Sequence, residues 1–429
     1  MRPAVILAAV AAALMAAMAS PAHAAAVVVE QALPGDTAWL LTATALVFLA
    51  LPGLAFYYGG AVRYKHSISV PLQVGVIAAV VSLLWIMVGY TLAFAETTGG
   101  WIGGGSRWML LQIEAVRFGT TVPESAFALF QTMLAVLAAA LMVGAWAERG
   151  RFGWVVIFAG LWSLIVYAPV AHWLWGGGWL ALRIGTVDFA GGLVIHTTAG
   201  VSALVAALLM GRRKGFPDTA DEPQSDYLRL LGIPLLWLGL FGVTGGGLLL
   251  GASDETAAAL INLQASAATA VLVWHAVDRL RAGHVSANGF ASGALVGLVA
   301  IAPAAGFVST GAAIVIGAVA ALTCRYAAHF IRNSLRIDDT LSVFAINGVG
   351  GITGTLLAGL FMAAEWGGTG LPPGQSVAGQ LAAQAIGIAA VTVWSVFATG
   401  ILATAVSLFI PMRVSESDEA DGLDAAHQN

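Results

Sequence analysis

Long apolar runs, interrupted by charged residues, glycine and proline, recur along the chain. Each run is close to the ~20 residues that a helix needs to cross the hydrocarbon core of a bilayer. The runs fall at 37–60, 70–95, 124–147, 152–174, 189–211, 228–250, 256–277, 285–303, 306–328, 343–363 and 379–410. The pattern predicts an all-α polytopic membrane protein with eleven transmembrane helices.

The composition supports this prediction and excludes a soluble enzyme. Of the 429 residues, 59% are hydrophobic and 9% are charged, whereas about a quarter of a soluble domain is charged. The net charge is −4 and the basic residues are scattered, so no nucleic-acid-binding surface is indicated. Because Cys324 is the one cysteine, an internal disulfide and a cysteine-rich metal site are excluded. We expect no enzyme activity, no cofactor and no metal.

The first 24 residues are typical of a signal peptide. Arg2 follows the initiating Met1, residues 4–18 form an apolar run, and residues 22–24 offer an A-x-A cleavage site. The alternative, an uncleaved first helix, is disfavoured because Pro21 interrupts the run short of ~20 residues. The sequence therefore predicts a signal peptide at 1–24, a membrane domain at 25–410 and a tail at 411–429.

The basic residues orient the predicted helices. After cleavage the amino terminus lies outside, so the connections after odd-numbered helices and the tail are cytoplasmic. Fourteen basic residues lie on that side: Arg63, Lys65, Arg149, Arg151, Arg212, Arg213, Lys214, Arg229, Arg279, Arg281, Arg325, Arg332, Arg336 and Arg413. Three lie on the other side: Arg107, Arg117 and Arg183. This asymmetry is the one that the positive-inside rule expects.

A weak internal duplication relates the fifth and tenth predicted helices. Asp188 is followed eight residues later by His196, and Asp339 is followed eight residues later by Asn347. Because the two helices enter from opposite sides, we predict two inverted five-helix repeats plus a long eleventh helix. Eight residues of helix rise ~12 Å, so His196 and Asn347 are expected to approach each other near the midplane.

The polar residues of these helices have both structural and functional interpretations. His196 is the histidine that lies well inside a predicted span, and intramembrane ionisable groups are costly and usually functional. A satisfied structural histidine is the alternative. Asp339 is interpreted as a helix cap, and for Asp188 a cap and a functional role both stay open.

Five stretches of the chain resemble the ammonium transporter family (Amt/Mep/Rh), and the resemblance extends from about Asp36 to His427. The stretches are Leu51–Gly60, Gly144–Arg149, Tyr167–Gly178, Asp188–His196 and Asp421–Asp424. The resemblance implies a homotrimer in the bacterial inner membrane with one pore per subunit, used for nitrogen uptake. It also implies contacts with membrane lipid and a cytoplasmic tail that binds PII-type regulatory proteins.

The family recruits ammonium at an outer aromatic site and conducts it past two pore histidines. Phe130 and Trp175 match the aromatic walls of the recruitment site, and Asp188 and His196 match the family at their positions. Cation–π attraction of about 1–2 kcal/mol per desolvated ring explains how such walls select a small cation.

Other positions depart from the family pattern. Leu134 stands where the family has a second gate phenylalanine, and Asn347 stands where it has the second pore histidine. Leu240, Val243 and Gly247 stand where it has Trp, Phe and Ser. Two functions therefore stay open: transport of ammonium or ammonia by an altered mechanism, or a poorly conducting ammonium-binding sensor that signals through its tail.

Overall fold

The computed structural model describes residues 31–217, 223–249, 251 and 253–426. The predicted signal peptide and His427 lie outside the described residues. The described chain is helical apart from turns, loops and one short antiparallel strand pair, β1 (Thr97–Thr98) and β2 (Ile102–Gly103).

Eleven helical segments follow in the order that the hydrophobic pattern predicts. They are α1 (Pro34–Ala61), α2 (Tyr64–Phe94), α3 (Glu124–Trp146), α4 (Phe152–Ile184), α5 (Gly192–Met210), α6 (Asp226–Gly246), α7 (Asp254–Ala282), α8 (Ala287–Ile301), α9 (Thr310–Ser334), α10 (Phe344–Phe361) and α11 (Val377–Ser407). Ten of these described segments are long and apolar enough to cross a membrane, whereas α8 has 15 residues. The all-α membrane architecture is confirmed, and the eleventh crossing, by α8, stays a prediction.

Serine caps fix helix starts that hydrophobicity places only approximately. In each case the serine hydroxyl accepts a hydrogen bond from a backbone N–H of the first turn. These serines precede α6, α7, α8, α9 and α11: Ser225, Ser253, Ser286, Ser309 and Ser376. α7 runs beyond its predicted end at residue 277 and stops at Gly283, whose φ of 77° lies in the left-handed region.

Glycine allows two pairs of helices to pack with their backbones close together. In the α1–α6 pair, a Cβ atom added at Gly232 would lie 2.5 Å from the carbonyl oxygen of Gly53. In the α5–α10 pair, one added at Gly200 would lie 2.2 Å from the nitrogen of Gly348, and one at Gly351 would lie 2.4 Å from the oxygen of Gly192. Small residues are typical of such interfaces in membranes.

In the contact between α5 and α10, the two helices use glycines at equivalent positions. Gly200 lies four residues after His196, and Gly351 lies four residues after Asn347. Each of these glycines meets the first half of the partner helix. This reciprocal crossing is the arrangement expected where two inverted repeats meet.

The tail packs on the connections that the charge pattern assigns to the cytoplasm. It contains two short helices, α12 (Glu416–Asp421) and α13 (Leu423–Ala426). The Asp424 carboxylate accepts hydrogen bonds of 2.8 Å and 2.6 Å from the backbone nitrogen and hydroxyl of Ser69. Leu423 is fully buried, and its N–H donates to Nδ1 of His66 at 3.2 Å. The predicted packing of the tail on these loops is therefore present in the structure.

A buried ion network joins the same loops. Glu148 forms ion pairs of 2.6 Å with Arg63 and 2.8 Å with Arg213, and Arg213 also lies 2.9 Å from Asp338. Burial alone would raise the pKa of the Glu148 carboxyl, but the charge of Arg213 and hydrogen bonds from Arg63 hold that pKa at about 2. The network thus connects the loop after α3 to the loops after α1, α5 and α9.

Replacing Glu148 by glutamine should lower stability at neutral pH. A carboxyl pKa lowered from 4.5 to about 2 contributes stability that is present above 4.5 and lost as the pH falls towards 2. The contribution is about 3 kcal/mol for this buried side chain. The difference in unfolding midpoint between the natural protein and Glu148→Gln, measured in detergent, should therefore shrink as the pH falls.

Glu365→Gln is the matched control because Glu365 is exposed. It should follow the natural protein at every pH. A constant difference between Glu148→Gln and the natural protein across the titration would contradict the ionic role of Glu148.

Candidate functional site

A cavity of about 370 Å³ opens at the end of the helix bundle opposite the tail. It is lined mainly by apolar and aromatic side chains from several helices. The lining residues are Arg117, Phe127, Phe130, Gln131, Leu134, Leu174, Trp175, Asp188, Phe189, Ala190, Val243, Gly247, Leu248, Leu249 and Phe307. We call it the outer cavity. It brings together Phe130, Trp175, Asp188, Leu134 and Val243, which lie on three different helical segments and a loop.

The two predicted aromatic walls lie on this cavity. Trp175 ends the main part of α4, and its Nε1–H donates to the backbone oxygen of Asp188 at 2.8 Å, which fixes the plane of the indole. Phe130 is 2% exposed and packs so close to α6 that a Cβ atom at Gly246 would lie 2.5 Å from its ring. Leu134 and Val243 are each 2% exposed and present branched aliphatic surfaces to the cavity.

Among the lining residues that were not predicted from the sequence are three further aromatic residues and an arginine: Phe127, Phe189, Phe307 and Arg117. The rings of Phe189 and Phe307 meet edge to face with centroids 5.5 Å apart. Phe127 lies three residues before Phe130 on α3, so helical spacing places both on one face and could have predicted it. The others come from loops and from the break between α8 and α9, where the hydrophobic pattern gives no direction for a side chain.

Asp188 acts as the cap of α5. Its two carboxylate oxygens accept four backbone hydrogen bonds of 2.7 to 3.0 Å, from Gly191, Gly192, Leu193 and Val194. Asp339 caps α10 in the same way. Its oxygens accept from the N–H groups of residues 343 and 344 at 3.0 and 2.7 Å. Both aspartates thus hold the helix starts that precede His196 and Asn347.

His196 and Asn347 meet in the protein interior, as their spacing predicts. The distance from His196 Nδ1 to Asn347 Oδ1 is 2.9 Å, and the two residues are 2% and 4% exposed. Each lies in a π-helical turn, Gly192–Thr197 in α5 and Phe344–Val349 in α10. Such turns shift side chains relative to a regular helix and are frequent at functional sites.

The hydrogen bonds of Asn347 determine which nitrogen of His196 carries the proton. The amide nitrogen of Asn347 donates to the backbone oxygen of Val343 at 3.2 Å, so its oxygen faces the imidazole. Because an amide oxygen only accepts, Nδ1 of His196 must donate. Nε2 of His196 is then the nitrogen with the free lone pair, and it is buried without a hydrogen-bond partner among the described residues.

A second cavity, of about 390 Å³, lies on the tail side of this pair. We call it the inner cavity. It is lined by Ile346 and Ser342 of the α10 start, by Tyr57 of α1, and by charged residues of the ion network. His196 and Asn347 line neither cavity. They therefore occupy a closed stretch between the outer and the inner cavity.

Comparison with known proteins identifies the architecture. A model described as Ammonium Transporter Family matches residues 38–429. The chain belongs to the ammonium transporter family. The family member Ammonium transporter Amt1 of Archaeoglobus fulgidus is 39% identical over 91% of this chain and 97% of its own length. The ammonium transporter of Bacillus subtilis is 39% identical over 91% and 96%.

Solved structures of the ammonium transporter family have the same fold. A protein named Sensor Amt Protein is similar with a TM-score of 0.86 and 29% identity, over 92% of this chain and 98% of that one. Mep2 of Saccharomyces cerevisiae is similar with a TM-score of 0.81 and 34% identity, over 90% and 91%. The chain is therefore a multi-pass membrane protein of this family. Among its described residues, no group of His, Cys, Asp or Glu side chains could hold a metal ion.

Replacing Trp175 by leucine should weaken ammonium binding in the outer cavity. Leucine keeps an apolar wall but removes the ring quadrupole, which is worth about 1–2 kcal/mol for a desolvated cation. The apparent affinity for ammonium, measured as inhibition of methylammonium uptake, should fall roughly five- to thirtyfold.

Trp101→Leu is a suitable control because Trp101 lies at the same end, contacts Trp173 and Trp179, and does not line the cavity. Its affinity should match that of the natural protein. Equal affinities of Trp175→Leu and the natural protein would reduce Trp175 to a packing residue.

Proposed function

We propose that this protein moves ammonia across the bacterial inner membrane: ammonium is recruited at the outer cavity and returns its proton to water on the outer side before ammonia crosses, so that little or no current is carried by protons. The observation that carries the proposal is the hydrogen bond between His196 and Asn347. An imidazole exchanges protons near neutral pH, whereas a carboxamide does not. A pair with one imidazole therefore gives a proton no second site to move to.

The same pair suits a neutral molecule. Nε2 of His196 offers a buried lone pair that can accept a hydrogen bond from an N–H of ammonia. The flanking side chains Leu134, Val243 and Ile346 are apolar and add no charge to the path. A cation would have to shed its hydration there without a charged partner, and that desolvation is costly.

The charges of the inner cavity favour the same conclusion. Arg213, Arg229 and Arg332 line it together with one carboxylate, that of Glu148. Glu148 already pairs with two arginines. Because Arg213 also pairs with Asp338 and Arg229 with Asp226, the excess of positive charge at this exit is modest; it disfavours a cation there and does not act on a neutral molecule.

The proposal also covers the assembly of the protein and its orientation in the membrane. We infer a homotrimer with one path per subunit, an outer amino terminus released from a signal peptide at residues 1–24, and a cytoplasmic tail. The excess of basic residues in the loops beside the tail supports this orientation. The docked tail supports a role in binding a PII-type regulator, since α12 and its neighbours offer exposed acidic side chains.

A sensor function is the second candidate. The observation that favours it is the tail, which touches the start of α2 and the loops after α3 and α5 and so can report their position. The similar structure named Sensor Amt Protein is consistent with such a role in this fold. An ammonium-binding outer cavity with a closed path would serve this function as well.

Asn347→His should restore the imidazole pair and with it a proton-coupled current. In vesicles, the natural protein should show net uptake with a small current, and the variant should show a larger current for the same uptake. The measurement is solid-supported-membrane recording beside a net uptake assay. Asn333→His, which adds the same side chain at an exposed position, should leave the ratio of current to uptake unchanged.

A full-sized current in the natural protein that Asn347→His leaves unchanged would overturn the proposed mechanism. Absence of both uptake and current in the natural protein, with ammonium binding intact, would favour the sensor.

Deleting residues 413–429 should alter uptake or regulator binding, because it removes the ion pair of Arg413 with Glu419 and the anchor at Asp424. Asp424→Asn, which weakens the same anchor without shortening the chain, should act in the same direction.

Asp421→Asn is the control, since Asp421 is exposed. The measurements are uptake at equal amounts of membrane protein and co-purification of the regulator. If the deletion changes neither, the tail has no role in uptake or in regulator binding.

A further inference from the structure

Arg117 brings a fixed positive charge to the outer cavity. It lies in the loop before α3, where its N–H donates to the backbone oxygen of Val122 at 3.0 Å and residues 116 and 123 form an antiparallel bridge. Its Cζ lies 3.7 Å from the ring centroid of Phe127 and 5.3 Å from that of Phe94. The guanidinium therefore occupies a ring face at the cavity that receives cations in the proposed function.

The carboxylate beside Arg117 does not neutralise this end of the bundle. Oε1 of Glu124 lies 3.0 Å from Nη1 of Arg117, and the same oxygen is shared with Arg107 and with the hydroxyl of Tyr90. Two guanidinium groups thus face one carboxylate. Glu124 does not line the cavity; the acidic side chain that does, Asp188, is held on the start of α5, where four backbone N–H groups bind its two oxygens.

Arg117 and its neighbour Arg107 differ in their position relative to the outer cavity. Both pair with Glu124, and their side chains are 18% and 28% exposed. Only Arg117 is among the described residues that line the outer cavity together with Phe130 and Trp175. A cation held in this cavity shares it with the guanidinium of Arg117 and is repelled by that charge, whereas a neutral molecule is not.

We propose that Arg117 is a specificity-determining residue that lowers the affinity of the outer cavity for cations and so favours neutral ammonia. The inference rests on the proposed function of that cavity. Arg117 acts by its charge and by covering the face of Phe127, so a variant that keeps the charge keeps most of the effect. Repulsion between charges across a partly buried cavity corresponds to a change of about three- to tenfold in cation affinity.

The test is ammonium binding to the purified full chain, measured by calorimetry in detergent, beside methylammonium uptake in vesicles. Arg117→Gln should bind ammonium about three- to tenfold more tightly than the natural protein. Arg117→Lys should stay close to the natural protein. Arg107→Gln removes the other guanidinium that pairs with Glu124, which does not line the cavity. It should change the affinity for ammonium much less.

Salt dependence separates the charge effect from a change of shape. Because salt screens charges, the ratio of affinities between Arg117→Gln and the natural protein should shrink as ionic strength rises. A purely structural effect would leave that ratio constant. Should Arg117→Gln bind ammonium no more tightly than the natural protein, or should Arg107→Gln match it, the inference is overturned.

Failure of the inference and failure of the proposed function give different results. Equal affinities with uptake intact overturn the role of Arg117 alone. If the natural protein shows no uptake but Arg117→Gln binds ammonium more tightly by the expected factor, the proposed transport is overturned and the role of Arg117 is retained. Absence of ammonium binding in both the natural protein and Arg117→Gln contradicts both.

Discussion

The structure depends on satisfying backbone N–H groups where two helices start inside the protein. In hydrocarbon, an unpaired backbone group costs several kcal/mol, so a helix end at this depth needs its own partners. Asp188 supplies four hydrogen bonds to the start of α5, and Asp339 supplies two to the start of α10. With both starts fixed, the π-helical turns that follow bring His196 and Asn347 within 2.9 Å.

This constraint also decides which residues remain available for chemistry. Asp188 lies at the outer cavity, yet its lone pairs are committed to the backbone, so we expect it to shape the site rather than to accept a proton. The amide of Asn347 is committed in the same manner, between Val343 and His196. Nε2 of His196 is the polar atom of this pair that has no partner among the described residues. In the proposed path, the group left for chemistry at this pair is therefore one imidazole lone pair.

Much of the fold follows from the sequence because hydrophobicity and helix length are local properties. The runs predicted at 37–60 and 228–250 correspond to α1 and α6, and the equal spacing from Asp188 and Asp339 predicted that His196 and Asn347 would meet. The π-helical turns at Gly192–Thr197 and Phe344–Val349 did not follow, since the hydrophobic pattern of the sequence does not distinguish a π turn from a regular helical turn. For the same reason the cavity contacts of Arg117, on a loop without periodicity, could not be predicted.

Leu134 and Val243 at the outer cavity, and Asn347 beside His196, each stand in place of a group that could stabilise a cation in the proposed path. Stacked rings can hold a cation, whereas Leu134 and Val243 offer no quadrupole to one that has passed Phe130 and Trp175. Beyond them, the amide of Asn347 offers a proton no second imidazole. A cation recruited at the aromatic walls would therefore lose both of its stabilising partners at successive positions, while a neutral molecule loses neither. The three replacements thus point in one direction, which is why we propose that the species crossing the closed stretch is uncharged.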